Sequence, residues 1–82
     1  MIIKEEGIVM ENATIKKLTI LLTHWMEHNR EHAAEYDKWA LQAKAEGFIE
    51  VSHALKEASD VIQRTNEKLL KTWEILKKLT KE

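Results

Sequence analysis

Cysteine and proline are both absent from this chain of 82 residues, and glycine occurs only twice, as Gly7 and Gly47. Without cysteine there are no disulfide staples and no thiolate metal ligands. Without proline, only the two glycines punctuate the chain. Charged residues make up 33% of it with both signs interspersed and a formal net charge of -1, so no basic block marks a nucleic-acid footprint. Lys16-Lys17 and Lys77-Lys78 read as solvated helix faces. The longest uncharged run of the first half, Leu18 to Met26, falls far short of the ~20 apolar residues of a membrane span. The opening Met-Ile-Ile-Lys-Glu-Glu-Gly has no basic region, apolar core or small-residue cleavage site, so no signal peptide is expected and a cytoplasmic location follows by default. In that compartment the glycosylation sequon Asn12-Ala-Thr14 is a chance match. There is no Ser/His/Asp set, glycine-rich phosphate loop or Cys/His pair, and no enzyme is expected.

What is present is helical periodicity. Residues 1–11 hold Ile2, Ile3, Ile8, Val9 and Met10 and read as an extended N-terminal arm. Asn12 then offers an N-cap, its side-chain oxygen accepting from an unpaired N–H of the first turn. From about 13 to 45, Leu18, Leu21, Leu22, Trp25, His32, Tyr36, Trp39 and Ala43 recur at spacings of three and four, which predicts a helix with that face apolar. Gly47 stands where a helix C-terminus wants a left-handed residue, and Phe48 stands where an apolar contact often follows. A second helix, about 48 to 80, carries Phe48, Val51, Leu55, Ala58, Ile62, Thr65, Leu69, Thr72, Leu76 and Leu79 at heptad spacing. Lys77, Lys78 and Lys81 suit the negative end of its dipole.

The expected fold is therefore all-α, an antiparallel helical hairpin over residues 12–82 turning at Gly47. In such a hairpin, residues level with each other have numbers adding to about 94, at ~1.5 Å of rise per residue. A chain this short buries only about 60% of the surface it exposes unfolded. Two helices cannot enclose a core, and the stripes, widened by Leu22, Met26, Val61, Leu70, Trp73 and Ile75, call for further partners. A homodimer closing a four-helix bundle is the simplest answer, with a higher homo-oligomer or an unidentified protein partner as the other ways to cover the stripes. Trp25, Trp39 and Trp73 are expected as large core and interface fillers.

The chemistry-bearing stretch is His24-Trp-Met-Glu-His-Asn-Arg-Glu-His32, which holds every histidine except His53 and repeats H-x-x-E-H with overlap. Imidazoles four residues apart on a helix lie one turn above each other and can chelate one ion. The pattern matches the inverted zinc-protease signature. A protease also needs a cleft, a distant ligand and far more chain. The candidate metal ligands are His28 and His32, with His24, Glu31 and Glu35 on the same flank, a set suited to a divalent transition metal: Zn, Ni, Co or Fe. One helix does not fill such a site, and a dimer axis beside His28 and His32 would bring four imidazoles together. The alternative is a structural or protein-interaction module in which the histidines form a register-setting hydrogen-bond network and bind no metal.

The segment Tyr36-x-x-Trp39-Ala40-x-x-Ala43-Lys44-Ala45-Glu46-Gly47-Phe48-x-x-Val51-Ser52-x-x-Leu55-x-x-Ala58 resembles the first helical hairpin of rubrerythrin-type, ferritin-like proteins, with the likeness extending over about residues 28–65. That family's carboxylate-bridged iron site needs a glutamate on the first helix and E-x-x-H on the second. Those positions fall here on Asn29, Ile62 and Thr65, which cannot serve, so the resemblance implies the hairpin architecture and not oxidase or peroxidase chemistry. Glu50-x-x-His53 copies the spacing but its phase points to solvent. The run His-Asn-x-Glu-His followed by Tyr and Trp-Ala is also similar to small uncharacterised prokaryotic hairpin proteins, which lends no activity.

Overall fold

Asn12 starts the first helix. In the computed structural model, which describes residues 12–80, its backbone is extended (φ -65°, ψ 122°) and its Oδ1 accepts from the N–H groups of Thr14 (2.8 Å) and Ile15 (3.1 Å). Two of the four orphan donors of the helix start are thereby satisfied. The helix so begun, α1, is Ala13–Ala45, and the second, α2, is Ile49–Thr80. Between them the N–H of Gly47 donates to Lys44 O (3.0 Å) and that of Phe48 to Ala43 O (2.8 Å). These are the two bonds of a Schellman motif, and Gly47 takes the left-handed φ of +90° it requires. The turn matches its expected place, whereas Phe48, expected to make an apolar contact there, is exposed. The segment expected as an N-terminal arm, residues 1–11, lies outside the described residues. Among the described residues no helix is long and apolar enough to cross a membrane.

The helices pack along their whole length as an antiparallel hairpin. The buried and half-buried residues that form the seam are Ile15, Thr19, Leu22, Met26, Asn29, Ala33, Tyr36, Ala40 and Ala43 on α1, and Ser52, Leu55, Ser59, Ile62, Asn66, Leu69, Trp73, Leu76 and Thr80 on α2, with Leu18, Leu21, Asp37 and Ala58 also half-buried beside them. Both sets alternate in steps of three and four, the knobs-into-holes repeat of a two-stranded coiled coil. Asn29 Nδ2 donates to Asn66 Oδ1 (2.9 Å), and Asn66 Nδ2 donates to Met26 O (2.9 Å). The paired numbers add to 95, one more than a hairpin centred on Gly47 predicts.

One expectation for α1 needs correction. The face expected to be apolar and inward included Leu18, Trp25, His32 and Trp39, yet Trp25, His32 and Trp39 are exposed and Leu18 is only half-buried. Leu22, Tyr36 and Ala43 of that face do enter the seam, and the rest of the inward face is Ile15, Thr19, Met26, Asn29, Ala33 and Ala40, with no indole or imidazole. Near the turn, Ala33, Ala40, Ser52 and Ser59 are all buried. Helices approach to the short end of the 8–10 Å interaxial range only where the contact residues are small, and an indole cannot enter such a seam. On α2 the expected stripe is half right. Leu55, Ile62, Leu69 and Leu76 enter the seam, while Val51, Thr65, Thr72 and Leu79 stay exposed beside it.

Candidate functional site

A two-stranded antiparallel seam has two flanks, and here they differ in character. On one flank Lys56 Nζ pairs with Asp37 Oδ1 at 3.3 Å. Asp37 has its carboxyl held below the ordinary carboxylate value, first by a hydrogen bond with Ser59; desolvation, next in size, opposes this, and the hydrogen bond and charge of Lys56 add smaller lowering effects. Ser59 is fully buried and its Oγ also accepts from Gln63 Nε2 (3.2 Å). An open groove of about 540 Å³ runs along this flank over the asparagine pair, lined by Met26, Ala33, Asp37, Asn66 and Leu70 among others. This is the polar flank.

Since Asp37 and Lys56 fix which positions share that side, the positions across the seam share the other. There α1 places Leu18, Leu21, Trp25, His28, His32, Glu35 and Trp39, and α2 places Val51, Ala54, Ala58, Val61, Thr65, Lys68, Thr72, Ile75 and Leu79, again in steps of three and four. Glu35 and Lys68 are the only charged side chains in the two stripes. Trp25, Trp39, Val51, Val61, Ile75 and Leu79 are each 44–57% exposed. Some of the polar side chains of this flank are satisfied from within. Thr65 Oγ1 donates to Val61 O and Thr72 Oγ1 to Lys68 O, both at 3.0 Å, and Trp39 Nε1 donates to Glu35 Oε1 at 3.2 Å.

The histidines sit on this apolar flank. The His28 and His32 rings lie 4.9 Å apart between centroids in an edge-on arrangement, and His32 lies 6.2 Å from the Tyr36 ring. Neither imidazole makes a hydrogen bond to another described residue. His24 and Glu31 lie toward the outer edge of α1, where with Trp25, Glu27 and His28 they line a shallow surface depression. Glu35 is engaged by Trp39. Among the described residues no three His, Cys, Asp or Glu side chains gather as a metal-binding group. The five ligands expected from the sequence are thus not assembled by one chain, which offers a pair of adjacent imidazoles. His53 is on the opposite flank, beside Asp37, Lys44 and Lys56.

Sequence reasoning gave Asn66 no strong role, and its place in the seam is set by Asn29. The signal was present, since the two asparagines are level in any hairpin that turns at Gly47. The buried Ser59 and its partners Asp37 and Gln63 had no such signal, because serine at a helical position is ordinarily read as solvated.

Residues 18–76, more than two-thirds of the chain, match the model of a family described as a domain of unknown function (DUF8180). Comparison with curated proteins and with solved structures finds no match.

Proposed function

The chain belongs to the DUF8180 family, and we propose from the geometry of its hairpin that it works as a self-associating module, two copies closing a four-helix bundle through the apolar flank. The observation that carries this reading is that the second apolar stripe of α1 and that of α2 fall on one side of the seam. A hairpin that needed no partner would gain nothing by aligning them.

Size supports a second copy as the occupant. The chain is a rod with a radius of gyration of 18.6 Å, against ~12 Å for a compact chain of its length. Its accessible surface is 6030 Å², where a compact chain of this mass exposes about 5,100 Å². Among the described residues the buried apolar core consists of Leu22, Ala33, Ala40 and Leu76, little for a free-standing domain. A face two helices wide and about 50 Å long covers about 1,000 Å² per copy. Two copies would then bury about 2,000 Å², the size at which obligate homodimers begin. With its hydroxyls and Trp39 indole N–H already bonded, the flank enters such an interface with few unsatisfied groups.

The role is structural or assembly-forming rather than catalytic. Of the ferritin-like resemblance only the hairpin architecture is kept. The positions laid on that family's iron ligands hold Asn29, which bonds Asn66, together with Ile62 and Thr65. Sedimentation equilibrium of the full chain at micromolar concentrations tests the reading. A mass twice that of the chain is expected, and a folded monomer across the concentration range overturns it.

A further inference from the structure

We infer that the dimer holds one divalent transition-metal ion on its two-fold axis, ligated by His28 and His32 of both copies. The inference rests on the homodimer reading and adds a site that neither copy contains alone.

Two apolar faces can be related by a two-fold axis lying in the interface either along the helices or across them. The first sets α1 against the α2 of the second copy, and His32 then lies about level with Thr65. The second sets α1 against α1 in opposite directions, so that each residue meets one equally far from the helix centre. The centre of α1 (Ala13–Ala45) is residue 29, and His28 and His32 straddle the position just beyond it. A crosswise axis one residue beyond that centre, which costs almost no overlap, places both imidazoles of each copy beside the axis, His28 facing His32 of the second copy.

Hydrogen bonding favours the crosswise arrangement. Among the described residues His28, His32, the Trp25 indole and Lys68 are the polar groups of this flank that lack a hydrogen bond, and the two histidines are those nearest the centre of α1, while the threonines and the Trp39 indole have theirs. Buried against apolar side chains they require partners for both ring nitrogens. An axis along the helices supplies His32 with Thr65, whose hydroxyl proton is already donated to Val61 O, so that it can accept from one ring nitrogen but not donate to the other. With ring centroids 4.9 Å apart, one nitrogen of each can turn onto a common ion at a Zn–N distance of ~2.0–2.1 Å. Two such pairs make a closed tetrahedral set of four neutral nitrogens, suited to Zn(II) or Co(II). Glu35, one turn along the same stripe, comes from both copies, and the two carboxylates offset the charge of the ion.

The test is isothermal titration of the full chain with ZnCl₂, with native mass spectrometry of the same samples before and after EDTA. One Zn per dimer is expected, with His28→Ala and His32→Ala each weakening binding by more than the ~10–100-fold that loss of an outer-shell partner causes. His24→Ala and His53→Ala should bind as the parent does. Co(II) in place of Zn should give the intense visible bands of a tetrahedral site. A dimer that takes up no Zn, or takes up one ion per chain, overturns the shared site and leaves the assembly reading standing. A chain that is monomeric with and without Zn overturns both. Both ring positions are exposed in the single hairpin, so the alanine variants keep their fold, which circular dichroism checks directly.

Discussion

At the scale of single residues, the seam depends on a few polar groups that find partners only inside the hairpin. Asn29 and Asn66 satisfy each other across it, and Asn66 also caps the carbonyl of Met26. Replacing either with alanine leaves the other amide with a lost bond in a half-buried site and should cost ~1–3 kcal/mol, read as a shift in the urea midpoint. Replacing both with leucine should recover stability while loosening register, since one polar pair in an apolar seam specifies alignment at a cost in stability; greater heterogeneity in amide NMR spectra is the expected sign. Asp37 ties stability to pH. Its folded-state value is lowered, by Ser59 first and by Lys56 after it. A lowered carboxyl contributes fully at neutral pH and loses that contribution as pH falls through the lowered value. Asp37→Asn should therefore be less stable than the parent near neutrality, and urea titrations of the two should converge in acid. An equal difference at both pH values would assign the effect to packing instead.

At the scale of the elements, α1 is started and stopped by local chemistry that needs no tertiary support. Asn12 and Gly47 act through backbone groups within five residues of themselves, which is why both were legible in the sequence. The Gly47 backbone lies at φ +90° with open space where a Cβ would be, so the obstacle to a side chain is conformational and not steric crowding by neighbours. Gly47→Ala should cost about 1–2 kcal/mol, seen as a lower thermal midpoint with unchanged helix content at low temperature. A cost near zero would mean that the turn relaxes out of the left-handed region.

At the scale of the whole molecule, the contrast between the two flanks is what a partner would read. Trp25→Glu or Val61→Lys places a charge in the apolar flank and should yield monomers. Leu41→Lys, at a still more exposed apolar position away from that flank, should leave the mass unchanged. Sedimentation of the three variants beside the parent decides it. If all three behave alike, the apolar flank is not the contact. Because a folded dimer is stabilised by mass action, its thermal midpoint should also rise with protein concentration, and that dependence should vanish in Trp25→Glu.

The extent of both helices, the turn between them and the antiparallel pairing followed from the sequence alone, because caps, left-handed glycines and three–four spacing are local properties of the chain. Which stripe of α1 faces α2 was decided only by tertiary structure. Helix α1 carries two stripes of the same period, one rich in tryptophan and histidine and one rich in alanine with Asn29. Reading by apolar content selects the first. Packing selects the second, because small side chains let two helices close and because Asn29 finds its amide partner on that face. The four-residue spacing of His28 and His32 was plain in the sequence. Their position outside the seam, on a flank shared with the second stripe of α2, arises only once the hairpin has closed and the two helices have taken a common register.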